Sequence, residues 1–221
     1  MRHFLIATLL GLCSFATTRS EEPPDKWVFI DLQPKANQVL AETLSDIYDD
    51  SHLADLPQGE QKFAAATYKI GPGCICLGST LKTTKPAKVE IPVQRKFTKL
   101  YILHATGNGG SDDESYIKDG THIGQYLVRY SDGSGEGVPI VYGEDVRDYW
   151  NWDKSKETSR GKLVWSGTSP AAKMHDLDVR LYESTWTNPK PDVEVLSITY
   201  SSHMDTPGAP FCVAITAMVS R

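Results

Sequence analysis

Apolar and polar residues alternate with a period of two along much of the chain, which is the spacing of side chains on a β-strand. In residues 123–130, Tyr126, Val128 and Tyr130 fall on one face. The Asp-Gly-Ser-Gly sequence at 132–135 is typical of a hairpin turn, and residues 138–142 resume the apolar pattern. This part of the chain is therefore predicted to form a β-hairpin.

Segments of this kind recur about ten times, separated by turns rich in glycine, proline and asparagine. Helical spacing is seen only within residues 36–50, where a short apolar stripe is flanked by loop residues. Many short strands without a sustained helix predict an all-β fold, an antiparallel β-sandwich of the jelly-roll type. The predicted strands cover residues 27–32, 63–70, 74–77, 89–93, 100–105, 123–130, 138–142, 162–165, 176–182, 193–200 and 211–219.

The start of the chain has the pattern of a secretory signal peptide. Residues 2–3 are basic, residues 4–15 are apolar, and small residues predominate in 16–20. The apolar run is shorter than the roughly 20 residues that cross a membrane, although an N-terminal anchor is the alternative. We therefore expect residues 1–20 to be removed and the protein to be secreted or periplasmic. Residues 26–221 are expected to form a single β-sandwich domain.

The charge of the chain narrows the classes of partner. The formal net charge is −5 at pH 7, and residues 1–20 contribute two arginines and no acid. An acidic protein without clusters of lysine and arginine is not expected to bind nucleic acid or an anionic membrane surface. No second long apolar run follows residue 20, so no membrane span is expected in the mature chain.

Three cysteines follow the predicted signal peptide, and an exported protein can form disulfides. Cys74 and Cys76 lie two residues apart on a predicted strand, so they share a face. They are either small buried apolar residues, or one of them is bridged to Cys212. A metal site is the third alternative, but two thiolates without a nearby histidine do not make a zinc set.

Signatures of common enzymes are absent from the sequence. It contains no HExxH, no P-loop and no GxGxxG, and residues 167–171 only approximate a nucleophile elbow. The chain is therefore expected to be non-catalytic and to need no cofactor. A glycan hydrolase that uses Glu144 and Asp148 as its carboxylate pair is the enzymatic alternative.

An unusual segment follows the predicted hairpin. Residues 142–152 contain four aromatic residues, three acids and an arginine, and exposed indole rings are costly unless they are used. Indole and phenol rings stack on sugars while polar neighbours bind the hydroxyls, so we interpret the segment as a binding loop. Alternatively, it folds back and buries its aromatic rings, with Arg147 paired to Asp145 or Asp148. The candidate ligand-binding residues of this segment are Tyr142, Glu144, Asp145, Arg147, Asp148, Trp150 and Trp152.

Two further residues are candidates for the same site. Trp186 follows a predicted strand, where it either joins the binding rim or covers the core. His104 lies within an apolar strand, where it is either a ligand contact or a hydrogen-bonded core residue. The acidic run at 112–114 could bind calcium through carboxylate oxygens, but it lacks the EF-hand spacing and is otherwise a solvated turn.

Residues 100–107, 123–133 and 140–150 together resemble bacterial exported β-sandwich modules of the galactose-binding-like, jelly-roll type. Such modules are often attached to glycoside-processing proteins. The resemblance implies a non-catalytic module and adds residues 142–150 as the shared loop. The aromatic loop and the predicted export together favour a module that binds carbohydrate or a cell-surface partner. The chain departs from the pattern at Tyr149, where a second tryptophan is usual, and at its cysteine pair.

A structural or protein-interaction domain without a small ligand is the alternative to a carbohydrate-binding module. The two hypotheses differ in where they place three tryptophans. A binding module predicts that Trp150, Trp152 and Trp186 are exposed together in one concavity. A structural domain predicts that they are buried.

Overall fold

The computed structural model describes residues 26–111, 114–115, 117–153 and 156–219, and antiparallel β-strands predominate in them. The described residues also contain one α-helix, α1 (Pro170–Met174), and a 3-10 turn at Gln33–Lys35. The strands are β1 (Lys26–Ile30), β2 (Gln38–Val39), β3 (Gly59–Phe63), β4 (Ala66–Ile70), β5 (Gly73–Cys76), β6 (Lys88–Arg95), β7 (Lys99–Gly107), β8 (Gly110–Ser111), β9 (Glu114–Ser115), β10 (His122–Tyr130), β11 (Gly135–Val141), β12 (Lys162–Gly167), β13 (Val179–Thr187), β14 (Val195–Ser202) and β15 (Ala209–Val219).

Two antiparallel sheets make up the sandwich. The larger sheet has the strand order β12-β13-β7-β15-β5-β2, and β1 also pairs with β15. The smaller sheet has the order β11-β10-β14-β6. His104 on β7 lies 3.2 Å from the Tyr126 hydroxyl on β10, so the inner faces of the two sheets meet there. The all-β antiparallel sandwich predicted from the alternation is confirmed.

The centre of the larger sheet is covered on both faces. Residues 209–217 of β15 are all buried, which is why this strand is a continuous apolar run without alternation. Its inner face lies toward the smaller sheet. On the other side, Thr216 donates to the carbonyl of Thr67 at 2.9 Å, so the β3–β4 hairpin covers part of the outer face. The loops around Tyr149 cover another part.

Three segments differ from the pattern that predicted them. Residues 63–70 do not form one strand, because Ala64 adopts a positive φ of 39° and turns the chain between β3 and β4. The stripe within 36–50 forms no α-helix, only β2 and turns. Residues 167–171 lead into α1, where the Ser169 hydroxyl caps the helix by accepting the N–H of Ala172 at 3.2 Å.

The predicted signal peptide lies outside the described residues, so it stays a prediction. Within residues 26–219, as far as they are described, no helix is long and apolar enough to cross a membrane. The acidic run at 112–114 also falls mainly outside the described residues.

Candidate functional site

Residues 142–152 fold back against the larger sheet. Their centre passes between the ends of β7 and β13. The Tyr149 N–H donates to the carbonyl of Thr106 at 2.8 Å, and the Arg180 N–H donates to the carbonyl of Tyr149 at 2.7 Å. Trp150, the next residue, is only 2% exposed. The segment is therefore built into the fold, which was the alternative to an extended binding loop.

Arg147 is a buried cation at the centre of an ion-pair network. Its terminal nitrogens donate to both carboxylate oxygens of Asp119, at 3.0 and 2.7 Å, and one of them also donates to Asp153 at 3.0 Å. Arg147 therefore pairs with neither Asp145 nor Asp148 as the sequence suggested. Folding brings Asp119 to it from 28 residues away, which local sequence does not reveal.

Asp145 and Glu144 are held by a different arginine. Arg160 donates to both carboxylate oxygens of Asp145, at 3.0 and 2.6 Å, and lies 3.1 Å from Glu144. Asp145 also accepts the backbone N–H of Val141 at 2.8 Å. Both acidic side chains are thus engaged within the protein.

An aromatic cleft opens beside the folded-back segment. Its volume is about 190 Å³. The deep walls are aromatic, whereas the mouth carries Ile47 and Leu81, which are 69% and 55% exposed. These two side chains add exposed apolar surface to the lining of the cleft. The residues that line the cleft are Leu44, Ser45, Ile47, Tyr48, Cys76, Leu77, Leu81, Lys82, Gly107, Asn108, Gly110, Asp148, Tyr149, Trp150, Trp152, Ala209 and Phe211.

The aromatic wall is a stack of rings. Trp150 is stacked with Tyr48, with ring centroids 4.9 Å apart, and with Trp152 at 5.1 Å. His175 approaches all three rings at 5.1 to 5.6 Å. Trp150 is covered by its neighbours, so the half-buried Trp152 is the indole that faces outward at this cleft.

Asp148 is a buried carboxyl group at the inner wall of the aromatic cleft. Its oxygens accept the backbone N–H groups of Trp150 at 2.8 Å and of Gly109 at 2.5 Å. Burial raises the pKa of Asp148 to about 7, and these two donors and Arg180 offset that effect only in part. Asp148 and Glu144 do not share this cleft, because Glu144 is turned toward Arg160.

A second cleft, the His104 cleft, lies between β7 and β13 on one side and β10 and β11 on the other. Its volume is about 210 Å³, and its wall includes His104, Asp145, Arg160 and Trp186. The ring nitrogens of His104 lie 3.2 Å from the Tyr126 hydroxyl and 2.8 Å from the hydroxyl of Ser184. Burial lowers the pKa of His104 to about 4, so the ring is neutral at pH 7.

The three cysteines of the described residues are free and buried, so the bridge from Cys212 to Cys74 or Cys76 is not formed. The strand register gives the reason. Cys212 on β15 lies opposite Ile75 on β5, and cross-strand partners share a face of the sheet. Because side chains alternate along β5, Cys74 and Cys76 point to the opposite face from Cys212.

The predicted site residues are thus divided between two places. The aromatic cleft is lined by Asp148, Trp150 and Trp152, and the His104 cleft is lined by Asp145 and Trp186. The three tryptophans do not share one concavity. The other three candidates, Tyr142, Glu144 and Arg147, line neither cleft. Tyr142 is buried, and the Arg147 guanidinium lies over it, 5.6 Å from the centre of the tyrosine ring.

Sequence reasoning missed the opposite side of the aromatic cleft. Tyr48, Ile47, Leu81 and Lys82 come from loops that the alternation leaves unassigned. The one available signal was the apolar stripe within 36–50, whose Leu44 and Ile47 now line the cleft.

No group of three or more His, Cys, Asp or Glu side chains in the described parts of the chain is arranged to hold a metal ion. No protein-family model matches the chain, and no curated protein matches it either.

Proposed function

We propose that the chain is an exported, non-catalytic binding module, related to galactose-binding-like jelly rolls, whose ligand enters the aromatic cleft. The observation that carries the proposal is the pairing of an aromatic wall with an exposed aliphatic mouth, formed by Ile47 and Leu81. Residues that serve only the fold gain nothing from this exposure, whereas a ligand that covers them gains the burial of their apolar area.

The size of the cleft limits the ligand to one ring-sized group at a time. A cavity of about 150 Å³ accommodates a benzene ring, and this cleft has about 190 Å³. A pyranose ring has an apolar face that can lie against Trp152, with Asn108 at the wall for its hydroxyls. Carbohydrate is therefore the ligand class that we propose.

Chemistry in the cleft is disfavoured by the way its polar groups are used. The ammonium of Lys82 donates to the carbonyl of Leu44 at 2.6 Å and to Asp46 at 3.1 Å. Both oxygens of Asp148 accept backbone N–H groups. The charged groups of the cleft are thus engaged within the protein, and this arrangement favours binding over catalysis.

A second candidate is an interaction domain that takes an apolar side chain of a cell-surface protein in the same cleft. Ile47 and Leu81 can pack against an apolar side chain as well as against the apolar face of a sugar ring. The burial of Trp150 favours the second candidate, because this ring is part of the core.

A matched pair of variants tests the proposal. Leu81 and Leu163 are 55% and 56% exposed, but only Leu81 borders the cleft. Burial of a leucine is worth about 1.5–3 kcal/mol, which is about ten- to hundredfold in affinity. Wild-type protein should bind a subset of a glycan array. Leu81→Asp should lose that binding by this factor, and Leu163→Asp should keep it.

The outcomes separate the candidates. Equal binding by the two variants would exclude the aromatic cleft as the binding site. The second candidate would be favoured by two results together. Wild-type protein would bind no glycan on the array, and it would select apolar peptides that Leu81→Asp does not bind. The proposed ligand would then be a protein and not a carbohydrate.

A further inference from the structure

The buried part of the aromatic cleft lining, which we call the floor, is apolar. It includes Leu77, Ala209 and Phe211, which are 0%, 6% and 3% exposed. The ring of Phe211 meets that of Tyr149 edge-on, with centroids 5.6 Å apart. A ligand hydroxyl placed against these groups would lose its water without gaining a partner, which is costly. The floor therefore favours a methyl group over a hydroxyl group.

The cleft offers a ligand few free polar groups. Four lining side chains carry a charge, an amide or an aliphatic hydroxyl, and three of them are engaged within the protein. The Ser45 hydroxyl accepts two backbone N–H groups of its own loop, both at 3.1 Å. Lys82 is paired with Asp46, and Asp148 accepts two backbone N–H groups.

Asn108, which follows β7, is the fourth of these side chains. Its amide forms no hydrogen bond with any other described residue. A free amide can donate from its nitrogen and accept at its oxygen. One amide cannot satisfy the several hydroxyls of a sugar ring buried here, but it can satisfy one amide group of a ligand.

We propose that the aromatic cleft binds the acetamido group of a neutral N-acetylhexosamine. The acetamido methyl lies on the apolar floor, and the Asn108 amide donates to the acetamido carbonyl. The pyranose ring then lies against Trp152 at the opening, where its hydroxyls stay in water. This inference rests on the proposed function, because it specifies the carbohydrate that enters the same cleft.

Size and charge favour this substituent over others found on sugars. An acetamido group has fewer non-hydrogen atoms than benzene, which a cavity of about 150 Å³ accommodates, so a cleft of about 190 Å³ admits it. The methyl group of a 6-deoxyhexose fits the floor but brings no partner for Asn108. A sugar carboxylate is disfavoured, because the formal net charge of the chain is −5 and the Lys82 ammonium is already paired with Asp46.

The test titrates the full chain with N-acetylglucosamine and N-acetylgalactosamine, each compared with its parent hexose, by ligand-detected NMR. At least one of the two should bind about tenfold more tightly than its parent, because it buries a methyl group and gains a hydrogen bond. Fucose compared with galactose measures the contribution of a methyl group alone, which should be smaller.

A matched pair of variants tests the role of the Asn108 amide. Asn108 has a φ of 58°, which glycine adopts without strain, so Asn108→Gly removes the amide and keeps the backbone. It should lower the ratio of N-acetylhexosamine affinity to parent affinity about fivefold. Gln94→Gly is the control, because Gln94 also carries an amide at a positive φ, 50°, but lies on β6 and does not line the cleft. It should bind as wild type does.

Circular dichroism and the urea midpoint show whether each variant is folded. The inference is overturned if the N-acetylhexosamines bind no more tightly than their parents, if Asn108→Gly leaves the affinity ratio unchanged, or if Gln94→Gly lowers it equally. Glycan binding that Leu81→Asp loses, without any preference for an acetamido group, would overturn this inference and keep the proposed function. Absence of binding to every sugar would overturn both.

Discussion

The indole N–H of Trp150 donates a hydrogen bond to the hydroxyl of Ser51, 3.0 Å away and 99 residues earlier in the chain. The same hydroxyl is hydrogen-bonded to Tyr149. Two consecutive aromatic residues are therefore anchored to one buried serine. This anchor attaches the folded-back segment to the loop that forms the opposite side of the aromatic cleft, so stability and cleft shape depend on the same contacts.

Removal of this anchor should destabilise the fold. Trp150→Ala removes a buried indole together with its hydrogen bond to Ser51, and such substitutions cost about 3–5 kcal/mol. Trp152→Ala should cost much less, because that ring is half-exposed. Urea unfolding monitored by circular dichroism measures both. A Trp150→Ala variant with an unchanged midpoint would mean that the segment does not pack as described.

The strands were predictable because their signal is local. The hairpin of β10 and β11 follows from alternation in 123–130 and from the Asp-Gly turn, and its register pairs Tyr126 with Val138. The pairing in space of β7 with β13 and β15 was not predictable, because it joins segments about 80 to 120 residues apart and no short-range pattern encodes it.

The positions of the candidate residues could be inferred only in part from the sequence. Residues 142–152 do contribute Asp148, Trp150 and Trp152 to a cleft, but Trp186 belongs to another. Trp150 could not be judged from composition, because its burial depends on Tyr48 and Ser51, which arrive from a loop about 100 residues earlier. Aromatic density in a loop indicates packing as readily as it indicates binding.

Two arginines of this region should behave differently on mutation. Arg147 is buried and donates to Asp119 and Asp153, so Arg147→Ala should cost about 1.5–3 kcal/mol. Asp153 keeps its pair with Arg180, and Asp119 is 54% exposed, so neither carboxylate is left buried without a partner. Arg160 is half-exposed, and its pairs with Asp145 and Glu144 should contribute about 0–1 kcal/mol. Thermal unfolding of both alanine variants at low and high salt gives the comparison. Equal losses of stability in the two variants would show that burial does not determine how much these ion pairs contribute.

The native thiols should react in a fixed order. Cys76 lines the cleft and its pKa is lowered, so a small neutral thiol reagent should modify it first. Cys212 faces the interior, and burial raises its pKa to about 12, so it should react only when the sheets separate. Mass mapping of modified peptides with and without urea reports the order. Early modification of Cys212 in native protein would contradict the register that places it inside.

Two buried groups should give the stability opposite dependences on pH. His104 has a pKa of about 4 in the folded protein against an ordinary value of 6.5. Between pH 4 and 6.5 the unfolded chain binds more protons at this residue than the folded protein does. His104 therefore contributes about 3 kcal/mol to the free energy of unfolding above pH 6.5, and this contribution is lost as the pH falls to 4.

Asp148 acts in the other direction, because its pKa is about 7 in the folded protein against an ordinary value of 3.8. From pH 3.8 to 7 the folded protein binds more protons, so about 4 kcal/mol is lost as the pH rises through this window. The free energy of unfolding of wild type minus that of Asp148→Asn should fall from pH 3.8 to 7. The corresponding difference between wild type and His104→Gln should rise from pH 4 to 6.5. Urea unfolding at half-unit pH steps measures both differences. A difference that does not vary with pH would show that the carboxyl or the imidazole concerned titrates normally, and hence that it is not buried.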